Sequence, residues 1–215
     1  MSIENEDQPE TTRRRFSVED ARERAKQALH KSEFILSRAY GLFKDPKGEW
    51  EQIRAEQTTV PNILLGYVAP LAAIPVVCDL IGQALFNPTF SMQIGDAIIR
   101  GAVTWLVSVG LVFFLGVLVN IVAEHFEAEK DDLSAQKIAA YSLTPSFLSG
   151  VFSLWPPLWW LSLFALAAMV WLMFRGLPIL MRAPEETALG YAATVTIAAM
   201  VSFIVLFSLA SCVTA

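Results

Sequence analysis

The chain has 215 residues, of which 54% are hydrophobic and 17% charged, with a net charge of −5 and a mean hydropathy of +0.48. Soluble chains carry roughly 25% charged residues, so an ordinary water-soluble domain is excluded, and without a broad basic face nucleic acid is excluded as a partner. Charge is also confined: 23 of the 37 charged residues lie in the first 59, where 11 Lys/Arg nearly balance 12 Asp/Glu.

Residues 1–16 read as a disordered polar tail. Its Arg13-Arg14-Arg15 triplet suits anionic headgroups, at about 1 kcal/mol per charge near the surface, and equally suits a solvated tail. No continuous apolar run marks residues 1–59 as a signal peptide. Ser17-Val18-Glu19-Asp20 has the form of a capping box and predicts a helix start. Apolar or small residues then recur at Val18, Ala21, Ala25, Leu29, Ser32, Leu36 and Ala39, and the stripe thickens at Phe34, Ile35, Tyr40, Leu42 and Phe43. Such a helix docks on the membrane interface first, on a partner or on its own domain second. Lys44 to Gly48 reads as a turn. A short helix follows over Glu49–Glu56, with Trp50 and Ile53 on one face suited to the headgroup boundary. Residues 17–59 are thus a cytoplasmic amphipathic segment, ahead of a membrane domain at 60–215.

The first span is expected at about 62–83, with Pro70 and Pro75 as kinks and Asp79 near its far end. The loop at 84–96 has no Lys or Arg. The second span, 97–122, carries Arg100 as its only charge, and a charged loop follows. The third and fourth spans, 138–155 and 157–174, meet at Trp155-Pro156-Pro157-Leu158-Trp159-Trp160, with no charged residue between Lys137 and Arg175. Each of these two is about 18 residues, roughly 27 Å of helix against a hydrocarbon core of about 30 Å. A re-entrant hairpin therefore stays open, although the tip tryptophans suit an interfacial belt and favour full crossing. The fifth span is 188–212.

The expected fold is all-α, a polytopic integral membrane protein with five transmembrane helices. Segments 1–59, 123–137 and 175–187 hold 15 of the 16 basic residues. They fall on one side, which puts the N-terminus in the cytoplasm and the C-terminus opposite.

Asp79, Asp96 and Arg100 are the candidate membrane-boundary charges. Asp96 and Arg100 are four apart and suited to pair. An anchor or structural pair is the first reading of the three, and an ion or proton pathway the second. Glu124-His125 with Glu127 and Glu129 offers donors for a divalent metal, but a solvated acidic loop fits better, and His30 lies on the polar N-terminal helix. No catalytic, cofactor or metal site is expected, since no nucleophile–base pair or phosphate-binding glycine motif is present. Cys78 and Cys212 read as small apolar residues rather than a bridge. Ala188, Ala192 and Thr196 permit close helix packing.

Asp45-Pro46-Lys47-Gly48-Glu49-Trp50 through Glu56 precedes Gly66-Tyr67-Val68-Ala69-Pro70-Leu71. Ala140-Tyr141-Ser142-Leu143-Thr144-Pro145 and Gly176-Leu177-Pro178 follow in order. This set resembles the bacterial members of the Yip (Ypt/Rab GTPase-interacting protein) family over about residues 42–212. The resemblance implies a five-span helical domain with a cytoplasmic N-terminus. It marks Pro46, Trp50, Glu56, Tyr67, Pro70, Tyr141, Pro145, Gly176 and Pro178 as family-motif positions. Eukaryotic relatives bind lipidated Rab GTPases in vesicle traffic between endoplasmic reticulum and Golgi. This chain lacks their Asp-Leu-Tyr-Gly-Pro motif and has the Pro-x-x-x-Trp arrangement of the bacterial branch.

The expected function is a non-enzymatic scaffold that organises lipid or recruits partners at the bacterial inner membrane. Residues 17–56 would contact membrane or cytoplasmic proteins, and a homo-oligomer is compatible. The alternative is a small transporter or channel using Asp79, Asp96 and Arg100.

Overall fold

The computed structural model describes residues 23, 26 and 33–214, the side chains of 91, 92, 156, 159 and 202–214 excepted. The tail expected at 1–16, the helix start at Ser17–Asp20, most of the stripe to Ser32, His30 and the Cys212 side chain lie outside the described residues. The chain forms two compact units, Met1–Tyr40 and Gly41–Ala215.

In the first unit, residues 33–40 are helical. The Arg38 guanidinium stands over the Phe34 ring, 5.1 Å from its centroid, as a pair one turn apart on a helix can. Phe34, Leu36 and Tyr40 are all exposed.

The second unit opens with helical residues 41–44 and continues through α1 (Pro46–Ala55), α2 (Val60–Phe86) and α3 (Phe90–Val122). It goes on through α4 (Asp132–Ser142), α5 (Thr144–Leu148), α6 (Ser162–Leu180) and α7 (Glu185–Thr214). Among the described residues every regular element is helical. α2, α6 and the stretch Gln93–Phe126 are each long and apolar enough to cross a membrane, and α7 has the length, at 30 residues.

α1 starts earlier than expected. Pro46 takes the first turn, where its missing N–H is no loss and its fixed φ suits a helix, and Asp45 caps it by accepting the Gly48 N–H at 3.2 Å. Trp50 and Ile53 do share a face, but that face is fully buried inside the unit rather than held at the headgroup boundary. α2 contains one wide turn, Leu64–Val68, in which the Ala69 N–H reaches back to the Leu64 carbonyl. Pro70 accounts for it: the ring has no N–H to donate and crowds the carbonyl four residues back, so the helix widens just before it. α2 and α3 are joined only by Asn87–Thr89, where the Asn87 carboxamide accepts both the Thr89 N–H and its hydroxyl.

The stretch expected as a third span, 138–155, is not one helix. α4 ends at Ser142, α5 covers five residues, and the tighter helical turns Ser149–Leu154 and Pro156–Leu161 lead into α6. Pro145 starts the short α5, and the Thr144 hydroxyl donates to the Tyr141 carbonyl at 2.7 Å, closing the end of α4. Beyond it the chain lies along α2. A Cβ on Gly150 would come within 2.5 Å of Pro75, and one on Gly82 within 2.6 Å of the Ser153 carbonyl. Glycine is required at both contacts because backbone approaches backbone there.

The core lies between α2, α3, α4, α6 and α7, with Leu71, Val119, Ile138, Leu172, Leu177 and Tyr191 all fully buried. Ala188, Ala192 and Thr196 face into it, as their spacing predicts. Cys78 is a half-buried free thiol.

Candidate functional site

Four of the motif positions, Trp50, Tyr67, Tyr141 and Gly176, meet in one cluster. Its centre is aromatic. Tyr141 on α4 packs edge-on against Trp50 of α1, with ring centroids 6.4 Å apart, and against Tyr67 of α2 at 4.5 Å. The Tyr67 hydroxyl lies 2.8 Å from Thr144 Oγ1. Since Thr144 spends its own proton on the Tyr141 carbonyl, Tyr67 is the donor. Gly176 of α6 forms the floor under Trp50: a Cβ there would stand 2.8 Å from Cε2 and Cζ2 of the indole. Glycine is the residue that lets α6 approach a flat ring so closely.

Polar contacts tie the same elements together at helix ends. The last carbonyls of a helix have no partner within it. Lys137, only 3% exposed, donates its ammonium to two such groups at the end of α1, the Ile53 and Glu56 carbonyls, both at 2.7 Å. Glu56 therefore takes part through its backbone as the cap of α1. Arg54 in turn reaches the Ile179 carbonyl near the end of α6 at 3.4 Å, beside Pro178, which removes one N–H from that final turn. Lys137 was legible only as the charge that bounds an apolar run; nothing in its spacing marked it as a cap for another helix. The Trp50 Nε1 and Ser142 Oγ atoms in this cluster are buried with no hydrogen-bond partner among the described residues.

The boundary charges lie elsewhere, at the hairpin formed by α2 and α3. Asp79 and Arg100 line one cavity of about 390 Å³, together with Gln83, Thr104, Ser153 and the apolar Pro75, Val76, Ala97 and Gly101. Asp79 accepts from Gln83 Nε2 at 2.5 Å. Asp96 and Arg100 are both exposed, and among the described residues no ion pair joins them. A separate apolar cavity of about 320 Å³ opens between α3, α5, α6 and α7, against Val112, Leu115, Phe147 and Met169.

The acidic loop after α3 is engaged with cations. Glu124 pairs with Lys130 at 2.6 Å and Glu129 with Arg182 at 2.8 Å. Hydrogen bonding to Lys130 holds the Glu124 carboxyl below its ordinary value. Among the described residues no three His, Cys, Asp or Glu side chains gather as a metal would need. Asp131 caps α4 by accepting the Ser134 N–H at 2.8 Å, and hydrogen bonding to the Ser134 side chain, with a smaller share from its N–H, lowers its pKa.

The Yip1 domain matches residues 40–207, which spans the motif cluster and the three stretches long and apolar enough to cross a membrane. The chain belongs to the Yip1 domain family. It is similar to the inner membrane protein YohC of Escherichia coli strain K12, at 28% identity over 173 residues covering 74% of this chain and 86% of the relative. The YohC of Escherichia coli O6:H1 strain CFT073 is similar to the same degree. No solved structure matches. Together with the long apolar helices, this makes the chain a transmembrane protein of the Yip family.

Proposed function

We propose that this Yip-family protein is a non-enzymatic scaffold that organises lipid or recruits partner proteins at the bacterial inner membrane. The carrying observation is the helix at 33–40, which leaves Phe34, Leu36 and Tyr40 at 40%, 63% and 65% exposure on a segment with charged Glu33 and Arg38 beside them. Large apolar groups exposed on a helical segment suit contact with another apolar surface. Of the expected contact region 17–56, this reading keeps the part upstream of α1, because α1 itself is packed away. It takes five crossings, with 138–161 as a broken third passage, the N-terminus cytoplasmic and the C-terminus opposite, on the basic-residue bias.

The test is co-purification from membranes by the intact chain and by Leu36→Glu/Tyr40→Glu, both changes lying in the first unit. Loss of specific partners or of surface-bound lipid is the expected result. An unchanged set removes the proposal.

The cavity holding Asp79 and Arg100 favours a second reading, a small transporter or channel that uses these two with Asp96. Once a flux is established in proteoliposomes, Asp79→Asn and Arg100→Gln should each reduce it, and unchanged flux in both removes this reading.

A further inference from the structure

We propose that the cavity between α2 and α3 binds the headgroup of a zwitterionic aminophospholipid, its phosphodiester on Arg100 and its ammonium on Asp79.

Arg100 is the only basic residue outside the three basic segments, and it has no ion pair among the described residues. A guanidinium beside hydrocarbon without a counter-charge is costly and finds a partner in the bilayer if the protein supplies none. Depth identifies that partner. α3 has 33 residues, about 50 Å at 1.5 Å per residue, so it overruns a hydrocarbon core of about 30 Å at its ends. Asp79 lies seven residues before Phe86 and Arg100 ten after Phe90, beside the same short α2–α3 connection. At about 1.5 Å per residue the two Cα atoms lie about 10 and 15 Å along their helices from that connection, a few ångströms inside the hydrocarbon boundary. From there the long Arg100 side chain reaches outward to the level of a lipid phosphate. A guanidinium fork matches two phosphate oxygens.

The cavity walls carry the rest of the specificity. Gln83, Thr104 and Ser153 provide polar groups, while Pro75, Val76, Ala97 and Gly101 provide an apolar side for the glycerol end. Asp79 shares the cavity with Arg100 yet is bonded to Gln83, so both signs of charge stay available to one ligand carrying both. A purely anionic headgroup would match Arg100 but meet the carboxylates of Asp79 and of Asp96, one turn before Arg100 on the same helix. The inference is independent of partner binding at 33–40 and survives the failure of that reading.

The experiment uses the delipidated full chain in detergent, titrated with short-chain phosphatidylethanolamine or phosphatidylglycerol. Retained lipid is read by native mass spectrometry and the unfolding midpoint by calorimetry. The intact chain should retain phosphatidylethanolamine at least about tenfold better than phosphatidylglycerol, with a raised midpoint. Asp79→Asn should erase that preference while keeping both lipids. Arg100→Gln should lose both, and Arg100→Lys, which keeps the charge without the fork, should weaken both. Thr104→Val, an uncharged change at the cavity wall, should lower phosphatidylethanolamine retention if the Arg100 variants fail to fold. Soluble glycerophosphoethanolamine should compete only weakly, lacking the acyl chains. Equal retention of the two lipids by the intact chain overturns the proposal, as does a preference unchanged in Asp79→Asn and Thr104→Val. Full competition by the soluble headgroup overturns the lipid as its source.

Discussion

Lys137 ends inside the protein with its ammonium on two peptide carbonyls at the end of α1. A buried ammonium is tolerated only when its donors are used, and removing it strands both carbonyls as well. Lys137→Met should therefore destabilise the chain in detergent by about 2–4 kcal/mol, since each unmet buried group costs about 1–3 kcal/mol; a midpoint within error of the parent would contradict this. Gly176 sets two effects against each other. Alanine for glycine inside a helix gains about 1 kcal/mol, while forcing a methyl onto a rigid indole costs about 1–3 kcal/mol. With the ring atoms at 2.8 Å, the clash wins and Gly176→Ala destabilises. The Trp50→Phe background removes part of the ring over Gly176, so a double-mutant cycle should show the two changes coupled by at least about 0.5 kcal/mol. Additive effects would mean the contact is not made. Asp131 supplies a pH test. Its folded pKa is depressed below 3.8 by hydrogen bonding to the Ser134 side chain and N–H, so its contribution is complete above that value and fades as pH falls through the folded pKa. Asp131→Ala should cost about 1 kcal/mol at neutral pH, as lost caps do, and the gap between parent and variant should narrow below pH 3.8.

At the scale of elements, helices were legible where apolar runs were long: α2 and α7 match the expected 62–83 and 188–212 within three residues at each end. By contrast, α3 begins seven residues before the expected 97, inside the expected loop, and α6 lies five to six residues beyond the expected 157–174. Two further elements departed for the same reason, that apolar composition does not say what an apolar face will touch. Trp50 and Ile53 were expected against headgroups and instead meet α4 and α6, because lipid and protein interior offer the same solvent to an indole. The 138–155 run had the composition of a span, but Thr144-Pro145 and Gly150 interrupt it. The fold uses those residues to end α4 and to press the chain onto Pro75 of α2. Their identity was visible in the sequence; their partners, more than 60 residues away, were not. Gly150→Leu should displace this segment, since no side chain fits within 2.5 Å of Pro75. Limited proteolysis in detergent should then cut between 149 and 161 faster than in the parent, and an unchanged rate would deny the contact.

For the whole molecule, the motif cluster ties α1 to α2, α4 and α6, while the exposed apolar groups of residues 33–40 sit upstream of it. The proposed function assigns packing to the cluster and contact with lipid or partners to residues 33–40. The cluster's members were identifiable from the family resemblance, yet their convergence on Tyr141 required the folded chain. The most direct measurement is photocrosslinking in native membranes, with a photoreactive residue placed at Leu36, Tyr40 or Trp50 in turn and the adducts identified by mass spectrometry. Leu36 and Tyr40 should give partner or lipid adducts and Trp50 only links within the chain. Intermolecular adducts at Trp50, or none at Leu36 and Tyr40, would contradict the account.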